Sequence, residues 1–216
     1  MRGPKFLLPQ RTYETVRVRS RGYLPHWDAP EGTYFVTFRL ADSLPRAIYD
    51  RIASERQALI RLFTGGERSL TAVENDQIRR FTFSRTDESL DQGYGNCWMR
   101  QSAIADVVAN SLRFFDGRRY TLHAWCVMPN HVHVLITLRS QETLDRVLHS
   151  WKSFSSSKAN EILGKTGSTF WEHESFDRLV RSDQEFFKVW RYILANPGKA
   201  GLKAWRWVGC EHDERS

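Results

Sequence analysis

His131 and His133 stand two residues apart in the run His131-Val132-His133-Val134-Leu135-Ile136. Alternate side chains of an extended strand share a face, so this spacing puts both imidazoles on one side and Val132, Val134 and Ile136 on the other. Two neutral imidazoles side by side form half of a divalent-metal site. A lone His-x-His also suits a hydrogen-bonded histidine in or near a core, so the pair needs a second observation. Tyr192 and Asn196, four residues apart, share a helical face beside the stripe Phe186, Trp190 and Ile193. Alone, such a tyrosine is an amphipathic cover. Together with the histidines, Asn196 offers a neutral oxygen ligand and Tyr192 a hydroxyl aimed at the same centre. A phenol with a pKa near 10 is ionised to about one part in a thousand at neutral pH, a deficit of about 4 kcal/mol. A divalent cation that polarises phosphate oxygens and favours phenolate covers part of it. The chemistry this set supports is in-line attack of the Tyr192 oxygen on a phosphodiester, giving a phosphotyrosine link to one end and a free hydroxyl on the other.

The elements that must position these residues can be read in turn. Tyr34 to Leu40 is a strand dense in aromatic and β-branched residues. A helical stretch opens at Pro45 and runs to about Phe63, where Gly65 and Gly66 stop it; further helical patterns cover about Thr71 to Phe83 and Arg100 to Phe115. Strands Tyr120 to Met128 and His131 to Leu138 are joined at Pro129-Asn130, residue types that suit a tight turn. Leu144, Val147, Leu148, Trp151 and Phe154 then make one apolar helical face, ending before Gly164. Trp151 reads as core, and Lys152 as a cation able to neutralise a phosphate. The last helix opens on Ser182 and Glu185, a capping-box pair, and is expected to end at Asn196 because Pro197 disfavours helical geometry before it. This order is that of an α+β sandwich, an antiparallel sheet covered by helices. Residues 1–30, rich in Arg and Pro, read as a basic arm; 31–208 as a single catalytic domain; 209–216 as a polar tail.

Composition narrows the partners. A hydrophobic fraction of 41%, an aromatic fraction of 13% and eight Trp exclude a disordered chain. No run of about 18 apolar residues and no secretory signal are present, so no membrane partner is expected and a cytoplasmic address is. Cys97, Cys126 and Cys210 form no CxxC pair and read as reduced thiols. Lys plus Arg exceed Asp plus Glu by 32 − 25 = 7. With a pI near 9.5, this favours a polyanion, and nucleic acid fits better than a membrane because no long basic amphipathic segment is present.

The ordered motifs Met128-Pro129-Asn130-His131-Val132-His133-Val134-Leu135, Trp151-Lys152-Ser153-Phe154, Phe170-Trp171-Glu172-His173-Glu174-Ser175-Phe176-Asp177, Tyr192-Ile193-Leu194-Ala195-Asn196-Pro197 and Lys199-Ala200-Gly201-Leu202 resemble those of the REP-associated tyrosine transposases, of the HUH single-tyrosine class. With Leu24-Pro25-His26-Trp27 and Tyr34-Phe35-Val36-Thr37-Phe38-Arg39, the likeness runs from about Arg17 to Trp207. It implies a ferredoxin-like palm, a Mg²⁺ or Mn²⁺ site from His131 and His133 with Asn196 as third ligand, and Tyr192 as nucleophile forming a 5′-phosphotyrosine. The implied substrate is single-stranded DNA with REP-type palindromic hairpins, nicked beside the hairpin by a monomer, with a dimer as the alternative, at the bacterial nucleoid. DNA contacts are then expected from Arg17, Arg19, Arg21, His26 and Trp27 of the arm, which would read a guide sequence, and from Arg39 and Lys152. Two positions depart from the family pattern: Arg178 stands where His is usual after the Asp, and Gly198 where Val is usual after Asn-Pro. Neither is a proposed ligand or nucleophile. The competing readings are a non-catalytic hairpin-binding protein and, further off, a metal-dependent nucleotide hydrolase; a histidine-triad enzyme would want His at position 135, which is Leu.

Overall fold

The computed structural model describes residues 17–21 and 24–210, with side chains from residue 29 onward. β1 (Arg17–Arg21) and β2 (Leu24–Asp28) pair antiparallel as a two-stranded ribbon, so the expected arm carries regular structure. The main body follows as β3 (Thr33–Arg39), α1 (Arg46–Thr64), α2 (Ala72–Leu90), α3 (Ser102–Phe114), β4 (Tyr120–Val127), β5 (His131–Leu138), α4 (Leu144–Leu163), β6 (Phe176–Leu179), α5 (Asp183–Lys199) and β7 (Val208–Cys210). Five strands form one antiparallel sheet in the order β6-β3-β5-β4-β7, in the α+β architecture expected of a ferredoxin-like palm. β7 crosses the boundary expected at residue 209, because Cys210 pairs with Ala124 at the sheet edge.

Strand alternation gives the sheet two apolar faces. On the first, Tyr34, Val36 and Phe38 join Val132, Val134 and Ile136 beneath α3 and α4, whose Val108, Leu112, Val147 and Trp151 are buried against them. Trp151 is fully enclosed, as expected, and its indole donates to the Tyr120 hydroxyl at 2.8 Å. On the second face, Phe35 and Leu135 meet Phe186, Val189 and Ile193 of α5. A bulge between Leu122 and Ala124 rephases β4, so Leu122 and Trp125 serve the first face while Ala124 and Cys126 serve the second.

Four details differ from the sequence expectation. α2 runs on to Leu90, well past Phe83, which brings its C-terminal half over the second face. α5 continues through Pro197 to Lys199. Proline lacks only its own amide donor, and in a last turn that loss is small; Ala200 N still donates to Asn196 O at 3.1 Å and Leu202 N to Pro197 O at 2.9 Å. Phe154, assigned to the apolar face of α4, is 52% exposed. At the start of α5, Ser182 accepts from Glu185 N, but the Glu185 carboxylate accepts from Arg181 N instead of closing the box on Ser182.

Candidate active site

β5 delivers His131 and His133 to the second face, both with no exposed surface. Their Nε2 atoms face each other at 3.0 Å. Asn130 orients the first ring. Its amide nitrogen donates to the carbonyls of Leu90 (3.1 Å) and Tyr94 (3.2 Å), which turns its Oδ1 towards His131 Nδ1 at 2.7 Å. An amide oxygen can only accept, so the His131 proton sits on Nδ1 and Nε2 keeps its lone pair. Thr37 Oγ1 meets His133 Nδ1 at 2.8 Å from the neighbouring strand β3. Burial lowers His131 to about 3, and burial together with the nearby His131 lowers His133 well below its usual 6.5. Both rings are therefore neutral near pH 7, the form that ligates metal.

α5 brings Tyr192 to the same point. Its hydroxyl lies 3.4 Å from His133 Nε2 and donates to Asp87 Oδ2 at 2.6 Å. The ring meets the edges of Phe35 and His133, with centroids 5.8 and 5.3 Å away, and Lys199 Nζ sits 5.1 Å from its centroid. Burial first, then the charge and hydrogen bond of Asp87, push the phenol well above its usual 10. Asp87 is raised to about 6, chiefly by burial, against the lowering effect of the Tyr192 hydrogen bond.

The group fits a divalent cation on its own chemistry. Asp87, His131 and His133 each offer a ligand atom, all within 4.8 Å of one another. Asp87 Oδ1 stands 3.5 Å from His133 Nε2. Asn196 is 1% exposed, and its Oδ1 has no hydrogen-bond partner among the described residues. A buried amide oxygen left unpaired costs about 1–3 kcal/mol, a penalty that a cation would remove. The donor set of imidazole nitrogens and hard oxygens suits a divalent cation.

Asp87 was missed by the sequence reading. It lies beyond the point where α2 was expected to end, among several acidic residues with no distinguishing spacing. Asn130, read only as a turn residue, is the second omission. Two cations expected at DNA also have protein partners. Lys152, on the helix over the opposite face, donates to the carbonyls of Glu172 (2.9 Å) and His173 (3.0 Å), and burial lowers it to about 8. Arg39 pairs with Glu172 at 3.1 Å and donates to Ser43 Oγ at 3.2 Å. Arg17, Arg19, Arg21, His26 and Trp27 lie outside the residues whose side chains are described.

Residues 101–196 match the family of IS200-like transposases. No curated protein sequence matches the chain. Among solved structures, a REP-associated tyrosine transposase bound to a REP hairpin aligns over 88% of this chain and 81% of its own, at 15% identity and a TM-score of 0.49. A Deinococcus radiodurans R1 protein described as a transposase aligns over 81% of this chain and 94% of its own, at 14% identity and a TM-score of 0.32. The matched segment holds the hairpin, α4, the histidine pair, Tyr192 and Asn196, and leaves out α1, α2 and Asp87. Through residues 101–196, the chain is thus similar to the IS200-like transposases.

Proposed function

We propose that the protein is a metal-dependent single-stranded DNA endonuclease and strand transferase, acting on REP-type palindromic hairpins through a covalent 5′-phosphotyrosine at Tyr192. The observation that carries this reading is the Tyr192 hydroxyl, 3.4 Å from His133 Nε2 and hydrogen-bonded to Asp87 at 2.6 Å. The hairpin substrate rests on the sequence motifs.

Bound Mg²⁺ or Mn²⁺ supplies positive charge that polarises the scissile phosphate. His131, His133 and Asn196 would hold it, with Asp87 as a further candidate ligand. Asp87 Oδ2 accepts the phenolic proton as the Tyr192 oxygen attacks phosphorus. The Tyr192 O–P bond forms as the P–O3′ bond breaks, and the bonding pair leaves on O3′, which takes a proton from water. Lys199 Nζ lies over the Tyr192 ring, 5.1 Å from its centroid, and its charge acts on Asp87. All of these groups come from one chain, which supports action as a monomer. Among the described residues no helix is long and apolar enough to cross a membrane, in keeping with action at the nucleoid. We place the catalytic domain over residues 31–208, with the edge strand β7 running two residues beyond it. The arm residues Arg17 to Trp27 are assigned to the guide sequence.

The test is a labelled single-stranded oligonucleotide carrying a palindromic hairpin, incubated with the protein in Mg²⁺ or EDTA and run on a denaturing gel. A covalent protein–DNA band that needs metal and disappears in Tyr192→Phe is expected. Tight binding with neither cleavage nor a covalent band would establish a non-catalytic hairpin-binding protein.

A further inference from the structure

A cavity of about 510 Å³ opens between α1, α2 and the β3–β6 edge of the sheet. It shares walls with the catalytic centre. Thr37, whose hydroxyl bonds His133 Nδ1, lines it, as do Thr86 and Leu90, which flank Asp87 along α2. Its sides are flat and apolar: Phe83 and Phe176 lie with centroids 4.3 Å apart and ring planes tilted by 31°, and Tyr49 at the rim is 39% exposed. Arg39 and Glu172, ion-paired at 3.1 Å, also line it, with Arg56 and Glu174.

Resting on the function proposed above, we propose that this cavity receives the unpaired nucleobase next to the phosphate attacked by Tyr192, and so selects the cleavage position. The volume falls within the range of small-ligand sites, about 300–1,000 Å³. Aromatic walls stack on a base of any identity, and a mixed set of donors and acceptors reads its polar edge. The two carboxylates repel phosphate, so the base enters while its phosphate stays outside, towards His131, His133 and Tyr192. Taking a base out of the stack is the usual way for an enzyme to single out one nucleotide. The helices that complete the cavity, α1 and α2, lie outside residues 101–196.

The experiment uses the full chain carrying Tyr192→Phe, so that binding is read without turnover. Hairpin oligonucleotides bearing one abasic site at each successive position around the cleavage site are titrated by fluorescence anisotropy. One position is expected to weaken binding by roughly tenfold, the size of one lost base stack. Ala53→Trp plugs the cavity from an exposed position on α1, and Tyr49→Ala removes part of its wall. Both should weaken binding of intact DNA and erase the effect of that one abasic position. An abasic profile with no such position, or one unchanged in both variants, overturns the pocket. The two readings fail separately. A covalent band from the wild type with a flat abasic profile sinks the pocket alone; a position-specific loss without any covalent band sinks the enzyme alone.

Discussion

Strand β5 presents two different solutions to burial on its two faces. Val132, Val134 and Ile136 point into a closed apolar layer under α3 and α4, where Trp151, Phe38 and Tyr120 stack and hydrogen-bond to one another. One residue out of phase, His131 and His133 point into a layer just as dry, where polar atoms meet in pairs and some, such as Asn196 Oδ1, are left unpaired. The first face lowers its free energy by removing apolar surface from water, at about 25 cal/mol per Å². The second holds polar groups without full partners, at a cost to the fold, and a bound cation would offset that cost. The sheet thus supplies stability on one side and preorganised chemistry on the other.

The largest break in this comparison is expected from Tyr192→Phe, which removes the nucleophile and leaves packing intact. Covalent adduct and cleavage should fall by about 10⁴-fold or more with little change in melting temperature, read by denaturing gel and calorimetry. Retained cleavage would sink the nucleophile assignment. Trp151→Ala tests the opposite face. It should destabilise the protein by about 3–5 kcal/mol in denaturant unfolding, while the fraction still folded binds metal as the wild type does. A loss of metal affinity instead would show that the faces are not independent.

Asn130→Ala sharpens the contrast within the polar face. The His131 ring loses the acceptor that sets its tautomer, and Mn²⁺ affinity measured by titration should drop about 10–100-fold. An unchanged affinity would remove Asn130 from the site.

The smallest effect is on pH stability in EDTA. His131 titrates near 3 in the fold and His133 also well below 6.5, so below pH 6.5 the unfolded chain binds protons that the folded chain refuses. Stability from these two groups therefore falls as pH drops. Asp87 works in the other direction: at about 6 instead of 3.8, it binds its proton first in the folded chain. Two imidazoles against one carboxyl leave about one net proton, or about 1.4 kcal/mol per pH unit lost between roughly pH 6 and 4. A melting temperature that holds steady or rises on acidification across that window would contradict the buried neutral pair.

Much of the site was legible before the structure because it is written in local periods. A spacing of two in His131-Val132-His133 and of four in Tyr192 and Asn196 sets which side chains point the same way, whatever the rest of the chain does. The hairpin, the helices and the buried Trp151 followed from the same periodicity. Pro197 was read as a stop because the rule for the residue before proline is statistical; in the last turn of α5 the fold overrode it. Lys152 and Arg39 were expected at DNA, and nothing local reveals the carbonyls of Glu172 and His173 or the Glu172 carboxylate that they also contact.

By itself, then, the sequence determined the two half-sites: an imidazole pair on one strand face, and a phenol with an amide on one helix face. Only the tertiary structure decided that these faces meet, that α2 runs on far enough to place Asp87 against Tyr192, and that Asn130 orients His131. The physical reason is range. Backbone geometry repeats within a few residues and can be read from spacing, whereas the choice of which helix covers which face comes from burying apolar surface across the whole chain, and no local pattern encodes it.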